Sequence, residues 1–134
     1  HLYPKLIINE AQAYTTDTMH RVNIKKNVNL NAFVASYYNS LSFAFAEISG
    51  RSHGGGVLEL MPSEVENIML PYHDSNEELV EIIDEMIRSS KSIDEILEIT
   101  NEKILIEKYN FSVEDVEIAN GIWKKLSRRR LNRN

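Results

Sequence analysis

Residues 29–60 read NLNAFVASYYNSLSFAFAEISGRSHGGGVLEL. Within them Leu30, Phe33, Val34, Tyr37, Leu41, Ala44, Phe45 and Ile48 recur at helical spacing over about five turns, which predicts one long core helix. Asn29 suits its N-cap, and Gly50 stands where a left-handed glycine commonly ends a helix. An apolar face this wide is built for burial, so core packing outweighs a cofactor box as the reading of its Tyr and Phe residues. The triple glycine Gly54-Gly55-Gly56 follows, and then Val57-Leu58-Glu59-Leu60 as an expected strand.

Working outward, Leu6-Ile7-Ile8 reads as a short strand. Thr18, His20, Val22 and Ile24 alternate with Met19, Arg21 and Asn23, the period of a half-buried strand. Asn9 to Asp17 is polar enough for a loop. Two such strands alone are not stable and need partners. Downstream, Pro62 and Ser63 begin a short turn, Ile68 to Pro71 reads as extended, and Pro62 and Pro71 prevent one continuous helix. The chain then changes character. Ser75-Asn76-Glu77-Glu78 and Ser92-Ile93-Asp94-Glu95 match the capping box, and each precedes an apolar run at helical spacing. Ser112 with Asp115 opens a third helix through Val116, Ala119, Trp123 and Leu126. The expected class is α+β: a small mixed front half over 1–73, with a long core helix and short strands, then a helical C-terminal half over 74–134.

The length of 134 residues suits one domain of roughly 100–150. No apolar run approaches the roughly 18–20 residues of a membrane span, so no membrane partner is expected. The absence of cysteine excludes disulfides, thiol catalysis and Cys-based zinc sites. A net charge of −5 argues against a nucleic-acid binder held by bulk attraction, but the charge is segregated. Residues 1–58 carry five bases against three acids, residues 74–122 four against fourteen, and residues 123–134 six bases and no acid. Any polyanion is met by the front or the tail.

The nucleophile-elbow, zincin, P-loop and dinucleotide-binding motifs are all absent, and a strand rather than a helix follows the triple glycine. Histidines at 1, 20, 53 and 73 are too scattered to hold a metal, and paired carboxylates such as Asp84-Glu85 read as solvated helix faces. No catalytic residue is expected. One segment does call for an explanation. Consecutive glycines cost conformational entropy unless close approach or unusual dihedrals require them. Bare N–H groups at Gly54, Gly55 and Gly56 beside Arg51, Ser52 and His53 suit a phosphate backbone or a base edge, and they equally suit a flexible connector. Lys25 and Lys26 fit phosphate contacts or a solvated strand end. Arg128-Arg129-Arg130 fits nucleic acid or a helix end complementing its own dipole.

Three stretches carry a resemblance: Tyr14-Thr15-Thr16-Asp17-Thr18-Met19-His20-Arg21-Val22, Phe33-Val34-Ala35-Ser36-Tyr37-Tyr38-Asn39-Ser40, and Gly50 to Asn67, above all G-R-S-x-G-G-G-V-L-E-L-x-P-S-E. In that order they resemble the C-terminal target-recognition region of bacterial restriction–modification amino-DNA methyltransferases. Ile122-Trp123-Lys124-Lys125-Leu126 and Arg128 to Arg130 resemble the end of such proteins more loosely. A similar order of helix, loop and strand occurs in recognition domains of type I specificity subunits.

The resemblance implies an adenine-N6-specific, S-adenosylmethionine-dependent enzyme. Its cofactor loop and its Asn/Asp-Pro-Pro-aromatic motif belong to a catalytic half, and neither is present here. Leu70-Pro71-Tyr72 is no substitute. The chain is therefore expected to be a C-terminal fragment with no cofactor of its own. Its expected partners are double-stranded DNA and the N-terminal catalytic domain of the same polypeptide, in the bacterial cytoplasm. The resemblance directs strand 18–26 and loop 50–56 at the duplex. The candidate DNA-binding residues are thus His20, Arg21, Lys25, Lys26, Arg51, Ser52, His53, Gly54, Gly55 and Gly56. Arg51 is foremost among them, because its fork can bind guanine or phosphate bidentately. A specificity-subunit piece without catalysis, or a protein–protein module using the acidic helices, are the alternatives.

Overall fold

The computed structural model describes residues 2–133. The predicted long helix is two helices, α1 (Leu30–Tyr37) and α2 (Ser40–Ser49). One side chain explains the break. The Asn39 carboxamide accepts the Ser42 N–H at 2.9 Å, capping α2, and its Nδ2 donates to the Ser36 carbonyl of α1 at 2.6 Å. Both helices keep the same apolar period, so spacing alone reads straight through the break. Asn29 caps α1 as expected, accepting from the Ala32 N–H at 3.0 Å. Gly50 departs from expectation, with extended backbone (φ −82°, ψ 173°) rather than left-handed. Glycine is needed there for space, since a Cβ would lie 2.7 Å from Leu58 Cδ1 and 3.0 Å from the Glu59 carbonyl oxygen.

Neither upstream strand forms. Residues 2–28 run as irregular chain with turns. Side chains take the place of a ladder: Tyr37 Oη donates to the Pro4 carbonyl at 2.6 Å, and Tyr38 Oη to the Leu6 carbonyl at 2.7 Å. Tyr3 stacks on Phe43 with centroids 5.0 Å apart. Alternation over 18–24 finds no strand edge to pair with, and Met19 and Val22 stay exposed.

The sheet is a single hairpin. β1 (Arg51–His53) pairs antiparallel with β2 (Val57–Glu59), placing Arg51 opposite Glu59, Ser52 opposite Leu58 and His53 opposite Val57. A tight glycine turn, Gly54–Gly56, joins them. The short helix α3 (Pro62–Val65) follows.

A 3-10 turn over Asp74–Leu79 leads into α4 (Val80–Arg88). The turn is capped by His73, whose Nδ1 accepts the Ser75 N–H, rather than by the expected box at Ser75. The other expected box, at Ser92, forms and heads α5 (Ile93–Thr100), and Ser112 with Asp115 forms one as well, heading α6 (Val113–Leu131). A wide π-turn, Asn101–Ile106, extends α5. It carries Asn101, whose Oδ1 accepts the Ser40 N–H at 2.8 Å, so α2 is capped again from 61 residues away. The core joins Tyr37, Tyr38 and Phe43 to Ile83, Ile96, Leu97, Ile104, Leu105 and Trp123. The fold is α+β.

Candidate nucleic-acid interface

The hairpin has two unlike faces, because successive side chains of a strand alternate. Arg51, His53, Val57 and Glu59 point to solvent, while Ser52 and Leu58 turn inward. The Arg51 side chain is 68% exposed, and its Nε lies 3.0 Å from Glu64 Oε1. The other oxygen of Glu64 accepts the Met61 N–H at 2.8 Å. That backbone bond, reinforced by the guanidinium, holds the Glu64 carboxyl below its ordinary pKa. Arg51 is thus oriented by a carboxylate that is itself fixed to the start of α3. His53 Nε2 lies 2.5 Å from Glu59 Oε2 on the same face.

At the tip, Gly55 and Gly56 have φ of +78° and +75°, a conformation side chains disfavour. A Cβ on Gly54 or Gly55 would meet nothing within 4 Å, so this backbone lies open to an approaching ligand. Gly56 instead faces Leu131 of α6, and its carbonyl accepts from Arg130 Nη1 at 2.5 Å. The Ser52 hydroxyl is buried with no hydrogen-bond partner.

The structure brings His20 to this hairpin, its Nε2 lying 2.5 Å from the Leu60 carbonyl oxygen just beyond β2. Arg21 stays within its own loop, donating to Thr15 Oγ1 at 3.3 Å. Lys25 and Lys26 are exposed in the turn before α1, and no hydrogen bond or ion pair ties their side chains to the hairpin among the described residues. His1 lies outside the described residues. Among the described residues, no three His, Asp or Glu side chains group to hold a metal.

Sequence reading missed the support beneath the hairpin. Arg130 is 2% exposed, and its Nη2 contacts Glu47 Oε1 of α2 at 2.6 Å and the Leu2 carbonyl at 2.9 Å. A signal was present: Glu47 is the sole acid of α2.

The family model of the C-terminal domain of the type II methyltransferase M.Eco57I matches residues 1–105. The chain belongs to this family. It is thereby a C-terminal region of the restriction–modification methyltransferase kind, as the resemblance implied. No curated protein and no solved structure matches the chain. The match takes in the whole hairpin, while α6, which braces it from below, lies beyond the matched residues. No helix among the described residues is long and apolar enough to cross a membrane.

Proposed function

We propose that this chain is the DNA target-recognition part of a site-specific methyltransferase acting on N6 of adenine. Chemistry on a base requires its removal from the stack, which costs a few kcal/mol and calls for a second body that grips the duplex. The observation that carries the reading is the hairpin of a methyltransferase C-terminal domain presenting an oriented Arg51 beside the open backbone of Gly54 and Gly55. Arg51 reads guanine or clamps a phosphate, the glycine N–H groups approach the backbone, and His53 on the same face and His20 beside Leu60 flank them. Arg21, Lys25 and Lys26 meet the duplex from the segment ahead of α1, and Ser52 lies on the inner face.

This reading assigns S-adenosylmethionine to no residue of this region. The groove between α2 and α6 is lined by Leu41, Phe45, Ile48, Phe111 and Ile118, and its one acid, Asp115, already accepts the Ser112 N–H at 3.0 Å. The cofactor and the methyl transfer belong to a catalytic domain of the same polypeptide.

The test is duplex binding by the whole protein against salt. DNA binding makes log K fall linearly with log salt concentration. Arg51→Ala lowers affinity by roughly five- to 150-fold, since a bidentate contact is worth about 1–3 kcal/mol. Affinity and sequence preference both unchanged in that variant would overturn the role of Arg51. A second reading, a protein-contact module, is favoured by the same apolar groove, where Ile118 is 62% and Ile48 58% exposed. It predicts no salt-dependent duplex binding at all.

A further inference from the structure

Behind the hairpin, on the face opposite Arg51, lies a crevice of about 230 Å³. One wall is the inward face of the strands, Ser52 and Leu58; the other is the end of α6, with Arg129 and Arg130, and Arg133 just past its C-cap Asn132. Glu47 lies at its base and is paired with Arg130. Arg129 and Arg133 are exposed and make no ion pair among the described residues, so the crevice carries two surplus positive charges. Ser52 adds a buried hydroxyl without a partner.

These features select a ligand. Buried hydroxyls are normally satisfied, so the orphaned Ser52 Oγ indicates an acceptor supplied from outside. Two guanidiniums with a hydroxyl donor suit a tetrahedral oxyanion, which arginine binds through paired charge-assisted bonds. The volume is below the roughly 300–1,000 Å³ typical of small-molecule pockets, so it suits a single phosphate group rather than a nucleoside. Cations at a helix C-terminus also complement its dipole. That effect accounts for Arg128 and Arg129 alike, but not for two arginines meeting an unpartnered hydroxyl across a cleft.

We infer that this crevice holds a phosphate of the DNA backbone, an assignment that rests on the DNA-recognition reading. The hairpin then meets the duplex in two ways: Arg51 at the outer face, and a phosphate seated between the inner face and α6.

The experiment measures binding of a labelled mixed-sequence duplex by the whole protein across a salt series. Arg129→Gln and Arg133→Gln, both at exposed positions, are compared with Arg128→Gln, which lies outside the crevice. Each crevice variant is expected to reduce the salt slope by about 1 and to weaken all sequences alike. Ser52→Ala lowers affinity about tenfold at every salt concentration with the slope intact, because the donor lost to the phosphate carries no charge of its own. Inorganic phosphate, compared with chloride at matched ionic strength, competes better against the wild type than against Arg133→Gln.

A wild-type slope in both arginine variants overturns the assignment, as does an equal loss in Arg128→Gln. Protection by inorganic phosphate that depends on Arg133, with the duplex slope unchanged, makes this a site for free phosphate and likewise overturns it. If the wild type shows no salt-dependent duplex binding, the DNA reading itself fails and the crevice assignment falls with it.

Discussion

Gly54 and Gly55 are neighbours in the hairpin turn, yet a methyl group would act differently on each. Neither Cβ would meet an atom within 4 Å, but only Gly55 has positive φ. Gly54→Ala should leave thermal stability within about 0.5 kcal/mol of wild type. Gly55→Ala should cost about 1 kcal/mol, because L-residues disfavour the left-handed region. If the open turn lies against DNA, Gly54→Ala also weakens duplex binding while its melting temperature stays put. Unaltered binding in that variant would show that the backbone at Gly54 does not approach the duplex.

Among the elements, the break between α1 and α2 depends on Asn39, which is fully buried. Asn39→Ala removes an N-cap and leaves the Ser36 carbonyl without this donor. The expected loss is about 1–2 kcal/mol, read by denaturant unfolding. The two tyrosines beside the break add a pH dependence. Burial pushes the hydroxyls of Tyr37 and Tyr38 well above their ordinary value of 10.0. In the unfolded chain both ionise near pH 10. Their contribution is therefore complete below pH 10 and is lost as pH rises further, when the unfolded state gives up protons that the folded state retains. Alkaline titration should show their ionisation, by near-ultraviolet absorbance, only together with loss of the circular dichroism signal. Ionisation ahead of unfolding would contradict this.

The same elements show what the sequence made legible. The boxes at Ser92 and Ser112 are local chemistry, four residues long, and both form. The strand at Val57 and the cap at Asn29 were legible for the same reason. The helix break at Asn39, the failure of segments 6–8 and 18–24 to become strands, and the extended Gly50 were not. The break is set by one buried carboxamide bonded three residues to either side, which an apolar period reads straight through. Segment 6–8 is held by Tyr38, 32 residues on from Leu6, and residues 18–24 have no strand partner among the described residues. Gly50 is set by Leu58 across the hairpin. Within the candidate site, Arg51 and the glycine turn stood out by composition. Arg129 and Arg133 did not stand apart from Arg128, because only the tertiary fold brings them against Ser52.

At the scale of the whole molecule, the Arg130 guanidinium ties together the N-terminal segment at Leu2, α2 at Glu47 and the hairpin turn at Gly56. Arg130→Met leaves Glu47 buried and unpaired and should cost about 3–5 kcal/mol. The double variant Glu47→Leu with Arg130→Met should recover most of that loss, since an apolar pair of similar volume often replaces a buried ion pair without penalty. Chemical denaturation of the two variants provides the comparison. A double variant no more stable than the single one would mean that the carbonyl contacts, rather than the ion pair, carry the stabilisation.

The same tie sets an order of events during translation. Glu47 precedes Arg130 by 83 residues, so at roughly 5–20 residues per second its carboxylate is made about 4–17 s before its partner. Through that interval α2 has no cation for the acid it must bury, and the glycine turn has no guanidinium beneath it. The hairpin therefore reaches its final form only after the last turn of α6 has been synthesised, and a nascent chain halted before residue 130 holds that acid in water.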